Sequence, residues 1–257
     1  VDLPEGTCGF ELGPLLQEQA ELAGASFVLD EVQSIQQEAD RWLVRCAGED
    51  VRAKAVIVAT GSRRRSLGTP TEQALTGRGL SHCASCDGPL MRGKTVCVVG
   101  GGDSAFGEAL VLAEYANQVY MLYPESSPIA VAPLVEAVRA LPNVTEIPEA
   151  RAVDVLGDVT GVAGVQFVER QSTRELAVDG VFVYIGLQPS TDVVIDLVAI
   201  DLQGRIIADA GGRTSRRRLY AAGDVRAGCS YRLNECIADG RAVATSVVAD
   251  LSFGDRP

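Results

Sequence analysis

Two cysteines, Cys83 and Cys86, stand in the run Ser81-His82-Cys83-Ala84-Ser85-Cys86-Asp87-Gly88, at the spacing that lets two thiols close a disulfide. The thiolate, not the thiol, attacks disulfides, so a working pair needs one cysteine of lowered pKa with access to its partner. Taken alone, the spacing is shared by redox centres, metal sites and merely buried pairs. Zinc would need two more ligands, and Cys229 with Cys236 lack the close spacing that such sites use, so no metal site is expected. His82, the only histidine, adjoins Cys83. As a cation it would favour a thiolate there; otherwise it fills a position that chemistry does not constrain.

A second chemical signal follows within the same stretch of chain. Val98-Val99-Gly100-Gly101-Gly102-Asp103-Ser104-Ala105 is preceded by a short apolar strand from Thr95 and followed by a helix with Phe106, Ala109, Leu110 and Ala113 on one face. Gln118 to Tyr123 is then the next strand, and this order is what a dinucleotide fingerprint requires. Gly100 permits the tight turn, Gly102 lets backbone approach a pyrophosphate, and Ala105 lets helix and strand pack closely. The helix start at Asp103 and Ser104 faces the negative charge. Glu125 stands about twenty positions past the turn, where an acidic side chain suits a ribose 2'-hydroxyl. NADH is therefore expected rather than NADPH; the alternative is that this loop takes no nicotinamide and electrons arrive from elsewhere.

The remaining elements must position these groups. Leu12, Leu15, Leu16, Ala20 and Ala23 predict a helix over 11–24 that stops at Gly24. Strands are expected at 26–32, 41–46 and 53–59, the last an unbroken apolar run ending in Ala59-Thr60-Gly61-Ser62. The turn-rich segment 68–79 reads as a crossing between domains. Past the second strand of the nucleotide unit come a helix at 132–141 and strands at 143–147, 152–156, 162–170, 174–178 and 181–185. Strands at 205–208 and 219–222 and a closing helix from Ile237 to Leu251 complete the chain.

Composition sets the class. The 257 residues are 47% apolar and 22% charged, ordinary for a globular protein of two modest domains. A net charge of -11 repels phosphate backbones, so nucleic acid is not an expected partner. The triplets Arg63-Arg64-Arg65 and Arg216-Arg217-Arg218 read as solvated loops or, alternatively, anion sites. Seven cysteines, an odd number in a chain too large to need staples, suggest a cytoplasmic protein with mostly free thiols. No basic-then-apolar leader stands at Val1 and no apolar run nears 18 residues, so neither export nor membrane spanning is expected; Val1 is not Met, which suggests a fragment or a processed start.

The order Cys-x-x-Cys-Asp-Gly, then Gly-x-Gly-x-x-Ala, then Ala222-Gly223-Asp224-Val225 resembles the low-molecular-weight thioredoxin reductase family of flavoprotein disulfide reductases. That resemblance implies an α/β fold of two Rossmann-like three-layer domains. A discontinuous FAD-binding domain, 1–67 with 190–257, would lack its N-terminal part, the family's first glycine fingerprint for the FAD pyrophosphate. The NAD(P)-binding and redox disulfide domain, 68–189, would be inserted into it, with hinge strands near 66–70 and 186–190. Cys86 would face the flavin, Cys83 would attack the external disulfide, and Asp87 would protonate the departing thiolate. Thr60, Gly61, Gly223 and Asp224 would lie on FAD, Asp224 on its ribityl chain, with Arg232 and Leu233 where the family has an Arg-Gln pair. NADPH-using members carry a His-Arg-Arg run where this chain has Tyr123-Pro124-Glu125-Ser126-Ser127-Pro128, with no arginine. The implied partner is a thioredoxin-like protein disulfide or small disulfide, and the implied assembly a homodimer. Two other functions remain open: a dithiol oxidase or reductase with a donor other than nicotinamide, and a truncated, non-catalytic nucleotide-binding relative.

Overall fold

The computed structural model describes residues 7–254. The chain forms two compact units, one from residues up to Arg63 together with those from Pro189 onward, the other from Arg64–Gln188. The chain has a mixed α/β fold with a parallel Rossmann-like sheet.

In the first unit, α1 (Gly9–Leu22) precedes an antiparallel sheet of β1 (Val32–Glu38), β2 (Arg41–Cys46) and β3 (Val51–Ala53). The strand expected at 26–32 does not form. Pairing with β2 begins only at Val32, and Phe27, Val28 and Leu29 are exposed. Asp30 instead ties this segment to the loop after β2, its carboxylate accepting from the N–H groups of Glu31 and Gly48. The run 53–59 likewise divides, because β3 pairs antiparallel with β2 while β4 (Val56–Val58) pairs parallel with a strand from the far end of the chain.

The second unit has three layers. It begins at the last residue of β5 (Ser62–Arg64); after α2 (Glu72–Leu75), β6 (Leu80–Ser81) and α3 (Ala84–Asp87) come β7 (Thr95–Val99), α4 (Asp103–Ala113), β8 (Gln118–Leu122), α5 (Ala132–Arg139) and β9 (Val144–Ile147). An antiparallel sheet follows, β10 (Ala150–Asp158), β11 (Gly161–Glu169) and β12 (Ser172–Ala177), before β13 (Gly180–Val183) returns to the parallel sheet. The parallel order is β6-β13-β7-β8-β9. Alternation along β7 explains the layering. Val96 and Val98 pack with Phe106, Ala109 and Leu112 of α4, whereas Cys97 and Val99 pack with Val155, Val165 and Phe167 of the antiparallel sheet. Each side chain of Phe106's or Leu112's size contributes about 1.5–3 kcal/mol by leaving water. The segment 68–79, expected as a crossing, carries α2 within this unit; Glu72 is anchored there by Ser66 and by the N–H groups of Leu67 and Gly68.

The chain then runs through β14 (Leu187–Pro189), paired with β5, and β15 (Leu219–Ala221), paired with β4, to α6 (Leu233–Gly254). Residues 205–208 make only single bridges, from Ile206 to Ile200 and to Arg226. The core of this unit gathers Trp42, Val58, Ile206, Leu219, Ala221 and Val225.

Candidate functional site: a disulfide beside a glycine turn

Cys83 and Cys86 are joined as a disulfide. Cys83 is the extended residue that starts α3, and its Sγ accepts a hydrogen bond from the Cys86 N–H at 3.2 Å. Cys86 is exposed and Cys83 half-buried. The following Ala84 is fully buried, its N–H directed to Glu108 Oε2 at 3.1 Å and to the Tyr184 hydroxyl at 3.0 Å. Burial, followed by the negative charge of Glu108, pushes the Tyr184 phenol well above its ordinary range, so this clamp keeps its proton. Asp87 closes the turn. Its Oδ2 accepts from Ser81 Oγ at 2.5 Å, while Ser81 Oγ in turn accepts from the Cys83 N–H at 3.1 Å. The His82 ring donates from Nδ1 to the Val183 carbonyl at 3.1 Å, which fixes its tautomer against β13.

The glycine turn lies in the same unit. Gly100 has φ +140°, and a Cβ there would come within 2.1 Å of the Tyr184 carbonyl oxygen, so no other residue fits. A Cβ on Gly102 would meet nothing nearer than Ile129 at 3.9 Å, which leaves open the space a ligand's phosphates would take. Ala105 is fully buried under the turn. Asp103 Oδ1 accepts from the Val131 N–H, and the Gly101 carbonyl accepts from Ile129 and Ala130, so the loop after β8 is tied to the start of α4. Between them is a cavity of about 480 Å³ lined by the glycines, Asp103, Ser104, Glu125, Ile129 and Arg64. The glycine cradle and the amides at the start of α4 fit a nicotinamide dinucleotide.

The other residues of interest lie in the first unit. Thr60 donates from Oγ1 to the Ser190 carbonyl, and the Gly61 carbonyl accepts from the Ser190 N–H. Gly223 has φ +73° and its N–H donates to Asp239 Oδ2 at 2.7 Å; the same carboxylate forms a nearly buried ion pair with Arg226. Asp224 is half-buried, with Cys236 and Cys229 directed at its Oδ1. Burial and then the neighbouring Asp224 carboxylate push the Cys236 thiol up to about 12. Arg232 and Leu233 are exposed at the start of α6. Among the described residues this unit has no strand, glycine turn and helix in succession for an FAD pyrophosphate. The half-buried Asp224 carboxylate, beside the first turn of α6, is a hydrogen-bond acceptor of the kind that the hydroxyls of a ribityl chain would suit.

The structure thus places Cys83, Cys86 and Asp87 together, and Gly100, Gly102, Asp103, Ser104, Ala105 and Glu125 together. It adds Ser81, Tyr184, Glu108 and Arg64, none of which was singled out for these roles. Arg64 belongs to a triplet read as loop or anion site; Arg63 pairs with Asp192 and Arg65 reaches the Leu187 carbonyl, leaving Arg64 to line the cavity.

A family model described as pyridine nucleotide-disulphide oxidoreductase matches residues 13–245. The F component of alkyl hydroperoxide reductase from Pseudomonas putida is 43% identical over 185 residues, 71% of this chain and 36% of that protein. Thioredoxin reductase of Treponema pallidum is 35% identical over 238 residues, 92% of this chain and 77% of that protein. The chain thus spans about a third of the length of the hydroperoxide reductase relative. Among solved structures, Lactococcus lactis thioredoxin reductase superposes with a TM-score of 0.86 at 28% identity, covering 97% of this chain and 84% of that one. That of T. acidophilum gives 0.84 at 31% identity, covering 95% and 81%. A disulfide and a dinucleotide turn in one unit, with a family match across nearly the whole chain, lead to one conclusion: the protein belongs to the pyridine nucleotide-disulphide oxidoreductase family.

Proposed function

We propose that the chain acts as a disulfide oxidoreductase that passes an electron pair from NADH, through FAD, to the Cys83–Cys86 disulfide and on to a thioredoxin-like protein disulfide. The observation that carries this reading is the closed Cys83–Cys86 pair, held at the start of α3 beside Asp87. FAD, when bound, supplies the step between hydride transfer and thiol chemistry. Thr60, Gly61, Gly223, Asp224, Arg232 and Leu233 would hold its ribityl and ring end.

Two electrons and two protons convert the disulfide to a pair of thiols. The Cys86 N–H that already points at Cys83 Sγ is placed to hold a thiolate there, which supports Cys83 as the attacking sulfur. Its attack forms a bond to one sulfur of the partner disulfide and releases the other as a thiolate. Cys86 then attacks Cys83, which restores the internal disulfide and releases the partner as a dithiol. Asp87 holds and delivers the proton that a departing thiolate needs, oriented by Ser81. The half-buried Tyr184 and Glu108 keep the Ala84 amide, and with it the cysteine turn, in place through both states.

Glu125 supports NADH as the dinucleotide, because its carboxylate meets the glycine turn, 3.3 Å from a Cβ built on Gly101, where a 2'-phosphate would be repelled. The test is dinucleotide-dependent reduction of thioredoxin by the FAD-supplemented chain. Turnover with NADH that disappears in Cys83→Ser and in Cys86→Ser is expected; turnover retained in either variant, or confined to NADPH, overturns the reading in its respective part.

A further inference from the structure

The first unit brings together a second group of sulfur ligands that the electron path does not use. Cys229 Sγ lies 3.6 Å from Cys236 Sγ, and Asp224 Oδ1 lies 3.1 Å from Cys236 Sγ and 3.6 Å from Cys229 Sγ. We propose that Asp224, Cys229 and Cys236 form a three-ligand site for a thiophilic divalent cation of the zinc type, with the fourth position left to water.

Geometry and chemistry both support it. Two sulfurs each about 2.3 Å from one zinc ion at a tetrahedral angle stand about 3.8 Å apart, and a sulfur and a carboxylate oxygen about 3.5 Å apart. The three observed separations lie within about half an ångström of those values, so binding asks for little movement. The ligands come from three places in the chain, the turn after β15, the loop at Cys229 and the first turn of α6, and these are already fastened together. Arg226 and Asp239 form an ion pair between loop and helix, and the Gly223 N–H joins the same carboxylate. Among the described residues this is the one such group of three or more cysteine, histidine or acidic side chains whose ligand atoms converge within 4.8 Å. Cys229 is nearly buried while Asp224 and Cys236 are half-buried, which protects the sulfurs yet leaves a path for the ion. The exchange balances simply: the cation takes the place of two thiol protons, which are released, with no change of oxidation state.

Seven positions separate the two cysteines, so the sequence spacing gave no sign of the site. Asp224 is also the residue given to the ribityl chain in the proposed function. Cation and flavin are therefore expected to weaken one another, a corollary that rests on that reading, whereas binding to the flavin-free chain does not.

The probe is cobalt(II), then zinc(II) in competition with a chromogenic chelator, added anaerobically to the full chain with the Cys83–Cys86 disulfide intact. One equivalent of cobalt is expected to give thiolate charge-transfer and tetrahedral ligand-field bands that zinc removes. Asp224→Asn is expected to weaken zinc by at least about tenfold, and Cys229→Ser with Cys236→Ser to abolish the bands. X-ray absorption of the zinc-loaded, unmodified chain is expected to show two sulfur ligands, a readout that needs no variant to fold. No thiolate band, no sulfur scatterers, or equal binding after both serines are introduced overturns the proposal. Repeating the titration with FAD tests only the corollary: zinc binding unaffected by flavin leaves the metal site standing and removes Asp224 from the flavin.

Discussion

The chemistry at Cys83 and Cys86 depends on side chains only one or two positions away. Ser81 both donates to Asp87 and accepts from the Cys83 N–H, so it couples the acid to the cysteine turn. Asp87→Asn removes the transferable proton and is expected to lower turnover by about 10²–10⁴-fold. Ser81→Ala is expected to cost less, because the carboxyl remains. Stopped-flow reduction of thioredoxin checks both. At the nucleotide cavity, Glu125→Arg is expected to shift the kcat/KM ratio from NADH toward NADPH, since a guanidinium pairs with the 2'-phosphate that a carboxylate repels. An unchanged ratio would show that Glu125 does not read the ribose. The cysteine and glycine motifs were legible from residue type and spacing alone. Tyr184 and Glu108 were not, because they lie 100 and 24 positions from Ala84 in the chain and meet it only in three dimensions.

At the scale of elements, β7, the glycine turn and α4 carry the cavity, and their packing can be tested separately from chemistry. Phe106→Ala removes a fully buried ring from the α4 side of the parallel sheet and is expected to cost about 3–5 kcal/mol by denaturant unfolding. Gly100→Ala is expected to abolish dinucleotide binding by calorimetry, since the added carbon overlaps the Tyr184 carbonyl. Helical periodicity and buried apolar runs located α4, β7, β8 and α6 to within a few residues. Where pattern reading failed, the cause was pairing. The apolar run at Phe27–Leu29 has no partner strand and stays exposed. Ala53–Ala59 looked like one strand, yet its halves belong to different sheets. Strand partners far apart in the chain leave no local trace.

For the whole molecule, electrostatics gives a prediction that spans both units. In Glu72, burial opposes ionisation, but hydrogen bonds from Ser66, Leu67 and Gly68 prevail and hold the carboxyl below its usual 4.5. Arg139 does the same for Glu146, against burial. In the other unit, Arg213 and Tyr220 hold Asp250 below 3.8. A group whose pKa is lower in the folded state contributes stability above its unfolded value and loses it as pH falls through the folded one. The thermal midpoint is therefore expected to be level above the unfolded values of 4.5 and 3.8 and to fall as the pH drops through and below them. A flat profile would mean these contacts are not made in solution. The α/β class and the family were readable because three motifs occur in the right order, while the donor set at Asp224, Cys229 and Cys236 required the fold.

Differential alkylation of the anaerobic chain, supplied with FAD and NADH and mapped by mass spectrometry, tests the electron path most directly. The account predicts that NADH makes Cys83 and Cys86 newly reactive, both together, while the labelling of Cys8, Cys46, Cys97, Cys229 and Cys236 does not change. A Cys83–Cys86 bond that stays closed while NADH is consumed would contradict it.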